Sequence, residues 1–158
     1  MSHIFHTKGI VLAIILAFSF FHFFSCLFSS ALPDQASIDK DDIPQILENF
    51  FKTGDISQIR PLLAEEARIF LSLEKVKSAK GFFSAHQTLL IFRDFFQHNN
   101  AVSVRIESSQ EVGSPPLTIK ASLIVRDINS KINAIDLSIT LQKQADFWKI
   151  KEIKETGS

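Results

Sequence analysis

The chain has 158 residues, and its 17 basic (Lys and Arg) and 17 acidic (Asp and Glu) residues give a formal net charge of zero at pH 7. This balance excludes a global field that would attract nucleic acid, so no nucleic-acid partner is expected. The single cysteine, Cys26, cannot form an internal disulfide, and the rest of the chain therefore lacks thiolate, redox and Cys-based zinc chemistry.

The N-terminal region is an apolar run, IVLAIILAFSFFHFFSCLF, from Ile10 to Phe28, preceded by Lys8. A positive start, an apolar run and the small residues Ser29 to Ala31 are typical of a secretory signal cleaved before Leu32. The run is also long enough for a retained membrane anchor. Lipidation at Cys26 is a third alternative. All three place the folded part outside the cytoplasm.

Three segments are therefore predicted: a signal peptide or membrane anchor over 1–31, a linker over 32–40, and a folded domain over 41–158. The linker carries Pro, Asp, Gln and Ser without periodicity. The protein is expected to be periplasmic or secreted, or to be anchored, with membrane contact only through the N-terminal segment.

Two helices are predicted to open the domain. The first begins at Asp41 or Asp42, either of which can cap free backbone N–H groups, and ends at Gly54. Asp55 caps a second helix, which Pro61 keeps short or kinked because proline removes one N–H donor.

Apolar residues at every second position predict a strand over Ala67 to Leu73. The charged stretch from Glu74 to Gly81, with three lysines, is interpreted as a solvated turn or edge strand, and contact with an anion or a membrane surface is the alternative. Ser84 then caps a third helix, Ala85 to His98, whose Leu89, Phe92, Phe95 and Phe96 form an apolar stripe.

Four antiparallel strands are predicted between Val102 and Lys154. Val102, Val104 and Ile106 alternate in the first, and Gly113 to Pro116 connects it to the second, where only Ile124 breaks the alternation. In the third strand the apolar positions change parity, which predicts a β-bulge near Ala134 and Ile135. The last strand runs from Phe147 to Lys154.

These elements predict an α+β fold in which a curved antiparallel sheet wraps around the third helix. The stretches IPQILENFFKTGDISQIRPLL, HQTLLIFRDFFQHN and FWKIKEIKE resemble the nuclear-transport-factor-2-like superfamily, also called the cystatin-like α+β roll. Together with the N-terminal segment they are most similar to the bacterial exported domain-of-unknown-function family numbered 4783. The resemblance implies this fold over about Asp41 to Glu155. It implies no catalytic residues.

Candidate ligand-binding residues are few. Asp94 and His98 lie four residues apart on one face of the third helix, and Trp148 alternates with Ile150 in the last strand. An exposed helix-end pair and rim packing are the competing interpretations. Some enzymes with the resembled fold use Tyr, Asp or His in the roll cavity, whereas this chain has no Tyr and apolar residues at the predicted inward positions. The sequence supplies no cofactor or metal-binding motif.

The sequence therefore favours an exported, non-catalytic binding or protein-interaction module. Its predicted partners are a small apolar ligand held in the roll, or a second copy bound through the outer face of the sheet. That face would carry polar residues of the two central strands: Thr118, Lys120, Ser122, Asp136, Ser138 and Thr140. Two alternatives are a small isomerase or hydrolase using Asp94 and His98 at the mouth of the roll cavity, and a structural domain tethered at the membrane.

Overall fold

The computed structural model of the chain describes residues 38–109 and 116–157. The predicted signal or anchor segment, most of the linker, and Gly113 to Pro115 of the first strand connection lie outside these residues. The helices are α1 (Ile43–Thr53), α2 (Ile56–Ile59), α3 (Glu74–Lys77) and α4 (Ala85–His98). The strands are β1 (Ile69–Leu73), β2 (Ala79–Phe83), β3 (Asn99–Ser109), β4 (Leu117–Asp127), β5 (Ile132–Gln144) and β6 (Phe147–Glu155).

The strands form one six-stranded sheet in the order β2-β1-β6-β5-β4-β3. Four of the five pairings are antiparallel, as predicted, whereas β1 and β6 run parallel. The prediction of a wholly antiparallel sheet is therefore wrong at this junction. The cause is topological, because β6 enters between β1 and β5 and joins the β1–β2 pair to β3, β4 and β5 in one sheet.

The charged stretch after β1 forms the short helix α3 and the edge strand β2. Ser78 closes α3 in the left-handed conformation (φ 48°), and β2 then pairs with β1 from Ala79 to Phe83. Lys80 is exposed in β2. Exposed lysine on an edge strand opposes pairing with other chains, so the edge-strand interpretation applies here.

The helix ends follow from single residues. Gly54 ends α1 at φ 68°, and its N–H donates to the carbonyl oxygen of Phe50 at 2.9 Å. Asp55 caps α2 by accepting from the Ser57 N–H at 2.9 Å, and a 3-10 turn containing Pro61 follows. Asp42 occupies the N-cap position of α1, as predicted, but its side chain makes no capping hydrogen bond. Asp39 instead accepts from the Asp41 N–H and caps a 3-10 turn that precedes α1.

Helix α4 packs its aromatic face against α1 and the sheet. Ser84 and Gln87 form a reciprocal capping box at its start, as Ser84 predicts. Phe92 is 1% exposed, and its ring centroid lies 5.3 Å from that of Phe50 in an edge-to-face arrangement. Phe96 meets the same Phe50 ring at 5.3 Å. The core between helices and sheet is therefore filled with aromatic rings.

The predicted bulge near Ala134 and Ile135 is wrong. The β4–β5 register is unbroken from Leu117 opposite Leu141 to Arg126 opposite Ile132. Ile132 and Ala134 are exposed on the surface of the sheet that faces away from α4, hereafter the outer face. The change of parity in this strand therefore arises because these two apolar side chains are exposed, whereas the odd-numbered ones are buried.

Register shifts occur elsewhere. In β3 the shift leaves Val102 as an extra residue, and in β6 a second shift leaves Lys151 as the extra residue opposite Thr140 and Leu141. The predicted inward position of Val102 is therefore wrong, since the bulge leaves this side chain 53% exposed. The β6 bulge keeps both Ile150 and Ile153 buried although they are three residues apart.

The predicted polar set lies on the outer face. Six residues form three directly opposed pairs across β4 and β5: Thr118 with Thr140, Lys120 with Ser138, and Ser122 with Asp136. Their sequence neighbours Ile119, Ala121 and Leu137 are at most 1% exposed and face the core. The sequence pattern thus assigns these six residues to the correct face, although it fails at Ile132 and Ala134.

Candidate functional site

The interior of the roll offers no convergent polar groups. Among the described residues, Thr88 is the one buried polar side chain, and its hydroxyl donates to the Ser84 carbonyl oxygen at 2.9 Å. The sheet positions that face α4 are Leu, Ile, Val and Ala. An acid–base pair of the kind that catalysis requires is not assembled there by the described side chains.

Asp94 and His98 lie in the last two turns of α4. His98 is exposed, and its Nδ1 lies 2.8 Å from the main-chain carbonyl oxygen of Asp94. This contact fixes the ring against the end of its own helix. Two candidate residues thus share a face as predicted.

A cavity of about 320 Å³ lies beside the C-terminal end of α4. Its walls come from Phe95, Asn99, Val125 and residues 132–135, so neither Asp94 nor His98 lines it. The Asn99 side-chain amide is already engaged, because its Nδ2 donates to the Phe95 carbonyl oxygen at 2.9 Å. The volume is at the lower end of the range for small-molecule pockets.

Trp148 is partly buried and packs against the core. Beside it, Lys149 donates from Nζ to the Pro61 carbonyl oxygen at 2.7 Å, and its Nζ lies 5.6 Å from the centre of the Phe147 ring. Burial lowers the pKa of Lys149, and the charge of Glu65 acts in the opposite direction. Because the amine is held by a main-chain carbonyl, we assign Lys149 the structural role of joining β6 to the segment after α2.

Two features of the outer face were not found from the sequence. The first, the apolar end, consists of Val102, Ile124, Ile132 and Ala134. Ile124 is 42% exposed and directly opposite Ala134, while Ile132 is 51% exposed on the same face. Ile128, in the turn after β4, is 72% exposed. The break of alternation at Ile124 and the change of parity at Ile132 and Ala134 were the available signals for this patch.

The second feature, the aromatic depression, lies on the same outer face but towards the opposite edge of the sheet, on β1, β2, β5 and β6. The Phe70 and Phe82 rings meet edge to face at 5.2 Å, and Phe82 is 64% exposed. The depression has a volume of about 670 Å³ and is lined also by polar and charged residues: Arg68, Thr140, Gln142, Lys151, Glu152 and Lys154. Lys154 contacts Glu152 at 2.8 Å, and its Nζ lies 5.8 Å from the Phe70 ring centre.

Within residues 38–109 and 116–157, no group of three or more His, Cys, Asp or Glu side chains is placed to hold a metal ion. In the same part of the chain, no helix combines the length and apolar character needed to cross a membrane.

No family model matches the sequence, and no curated protein matches it significantly. Solved structures are similar. A family 4783 protein from Bacteroides ovatus has a TM-score of 0.52 at 11% identity, covering 74% of this chain and 98% of its own. An NTF2-like protein from Cytophaga hutchinsonii has a TM-score of 0.52 at 8% identity, covering 77% and 100%. A provisionally named isomerase from Rhodopseudomonas palustris has a TM-score of 0.52 at 7% identity, covering 70% and 82%.

These likenesses confirm that the chain has the nuclear-transport-factor-2-like fold, the fold of the family 4783 structures. At such low identities they establish the fold alone. Function must therefore be argued from the surfaces of this chain.

Proposed function

We propose that this protein is an exported, non-catalytic interaction module that binds a second copy of itself through the apolar end of the outer face. The observation that carries the proposal is the exposure of Ile124 and Ile132, two large aliphatic side chains on one face of adjacent strands. Contiguous exposed apolar groups of this kind mark interaction sites on soluble domains.

A two-fold symmetric pairing suits this patch. In such an interface the same surface of each subunit meets itself, so apolar groups on one copy are matched by those on the other. The polar rim also contains both signs of charge. Arg105 and Glu107 contact each other at 2.9 Å on β3, and Asp136 lies on β5. Such a rim can complement itself across the two-fold axis.

The enzyme alternative has less support. It requires Asp94 and His98 to face a pocket that substrate can enter, whereas the cavity beside α4 is lined by other residues. A small apolar ligand in that cavity stays a prediction. Phe95, Val125 and Ile135 would contact it, and it would have to displace solvent from Asn99 and Asn133.

The dimer is tested with the full chain, expressed with its N-terminal segment and purified in the form that the cell leaves. Native mass spectrometry and sedimentation should give a dimer for the unaltered protein. The double variant Ile124→Glu/Ile132→Glu should be a monomer, because two buried carboxylates on each side of the interface would lack partners. Phe82→Glu is the matched control, since Phe82 lies on the same face near the opposite edge of the sheet, and this variant should remain dimeric.

A monomeric unaltered protein, or a double variant with unchanged mass, would count against the proposal. The denatured mass of the same samples tests export. A chain beginning at Leu32, or an acylated Cys26, would show processing, and a chain beginning at Met1 would favour a retained anchor or no export. A bound small molecule in the native mass would support the ligand alternative.

A further inference from the structure

The sheet register aligns three lysines in one row across the outer face. Lys80 of β2 lies opposite Ser72 of β1, which lies opposite Lys154 of β6. Lys154 lies opposite Ser138 of β5, which lies opposite Lys120 of β4. We call these five residues the lysine row. Lysine and serine alternate along it, and it runs perpendicular to the strands. On β3 the exposed Glu107 lies opposite Lys120 and ends the row.

The spacing of the charges follows from the geometry of the sheet. Neighbouring strands lie about 4.8 Å apart, so consecutive lysines of the row are separated by roughly 9–10 Å at their Cα atoms. All three lysines are exposed, while Ser72 and Ser138 are partly buried between them. Lys154 forms an ion pair with Glu152, with 2.8 Å between Nζ and Oε1.

The aromatic depression adjoins this row. Phe82 and Phe70 lie opposite each other, and each is two residues along its strand from Lys80 and Ser72, respectively. The β6 bulge gives the outer face Lys151 as well as Glu152 and Lys154. Arg68, Lys151 and Lys154 therefore line the depression together with the exposed Phe82.

We propose that the lysine row and the aromatic depression together bind an acidic polysaccharide. Carboxylates of its uronic acid residues would pair with Lys80, Lys120 and the cations of the depression. The C–H face of a sugar ring would pack on Phe82, because the negative face of an aromatic ring attracts polarised hydrogen atoms. Sugar hydroxyls would meet the hydroxyl groups of Ser72, Ser138 and Thr140.

Two other polyanions fit less well. Each strand of nucleic acid carries one charge per roughly 3.4 Å of helix axis, much denser than a lysine row with one cation per roughly 9–10 Å. An acidic peptide lying along the row would cross the strands at right angles, and its backbone N–H and C=O groups would find no partners in the sheet. A polysaccharide has hydroxyl groups all along its length, which can bond to the hydroxyl groups of Ser72 and Ser138.

Affinity electrophoresis of the full chain through gels containing polygalacturonate or alginate tests the proposal, with dextran as the uncharged control. The unaltered protein should be retarded by both acidic polymers, and less so as salt is raised. Lys80→Gln/Lys120→Gln should bind about 2- to 30-fold more weakly, the range that two exposed ion pairs supply. Phe82→Ala should also weaken binding.

The matched control is Lys131→Gln/Lys143→Gln, which removes two exposed lysines that lie outside the row and should leave binding unchanged. The proposal is overturned if neither acidic polymer retards the protein, or if both double variants lose binding equally. Tighter binding of poly-dT or of poly-glutamate than of the polysaccharides would also overturn it. The site does not require the dimer, so retention of polysaccharide binding by Ile124→Glu/Ile132→Glu would separate the two proposals.

Discussion

Gly54→Ala tests how the turn between α1 and α2 is coupled to the aromatic core. Gly54 has φ 68°, which L residues rarely adopt, and an added Cβ would lie 2.9 Å from Cγ and 3.0 Å from Cβ of Phe96. Phe96 cannot move freely, because its ring lies 5.3 Å from that of Phe50 and 5.1 Å from that of Phe95. The substitution should therefore strain both the backbone and the packing.

The cost can be estimated from three contributions. A left-handed conformation costs an L residue roughly 1–2 kcal/mol, and overpacking costs roughly 1–3 kcal/mol. The smaller entropy of the unfolded chain returns roughly 0.4–1 kcal/mol. The free energy of unfolding should therefore fall by roughly 1–5 kcal/mol, a large fraction of the roughly 6–18 kcal/mol expected for a domain of this size.

Urea unfolding followed by the fluorescence of Trp148, the single tryptophan, measures this free energy. Gly81→Ala is the control, since its φ is also positive (140°) but the nearest atom to an added Cβ is 4.0 Å away. Gly54→Ala should cost less when combined with Phe96→Ala, because the overlapping Cγ and Cδ1 atoms are then absent. The Cβ of Phe96 remains in Phe96→Ala, so equal costs in both backgrounds, within about 0.5 kcal/mol, would refute overlap with the Phe96 ring as the cause.

Three further outcomes are expected. Ser84→Ala should lower the free energy of unfolding by about 0.5–2 kcal/mol, because the Gln87 N–H loses its acceptor, and Ser84→Asp should retain most of it in the same urea assay. Phe92→Ala should lower it by about 3–5 kcal/mol, whereas Phe82→Ala, on the exposed surface, should change it by less than about 0.5 kcal/mol; similar losses would contradict the assigned core. The side chain and N–H of Ser57, with Gln58, lower the pKa of Asp55 below 3.8, so its stabilisation is present above pH 3.8 and is lost as the pH falls through the lowered value. The stability advantage over Asp55→Asn should therefore shrink in acid, and a difference independent of pH would contradict this assignment.

Local signals predicted much of this fold. Gly54, Pro61 and Ser84 act within a few residues of themselves, so the sequence placed the ends of three helices correctly. The alternation in β4 likewise assigned its inner and outer faces. These features require no knowledge of which strands pair.

The errors arose where distant pairing decides the structure. The edge-strand alternative for the charged stretch after β1 is confirmed, but the choice between a strand and a turn depends on pairing with β1, which the stretch itself does not show. Ile132 and Ala134 suggested a bulge because apolar residues were assumed to face inward, although large apolar side chains also occur on surfaces. The extra residue lies instead at Lys151, where the register of β6 against β5 places it.

The candidate surfaces show the same division. Ile124 was visible as a break in the pattern of one strand. The lysine row could not be predicted, because Lys80, Lys120 and Lys154 come from three strands far apart in the sequence. They are aligned only by the register of the five strands from β2 to β4 in the sheet order. The net charge of zero also gave no sign of the row, because a total over the whole chain does not show where the charges lie.

The parallel junction of β1 with β6 determines the order in which the chain can be completed during synthesis. Before β6 emerges from the ribosome, β1 and β2 can form only a two-stranded ribbon, and β3 to β5 a separate meander, each with an unpaired edge. β6 covers both edges at once, and Glu155 near its end accepts from the Val76 N–H at 2.9 Å, far back in the chain. A nascent or truncated chain that stops before Phe147 is therefore expected to remain unfolded and open to proteases, which keeps a growing polypeptide loose until its final strand is made.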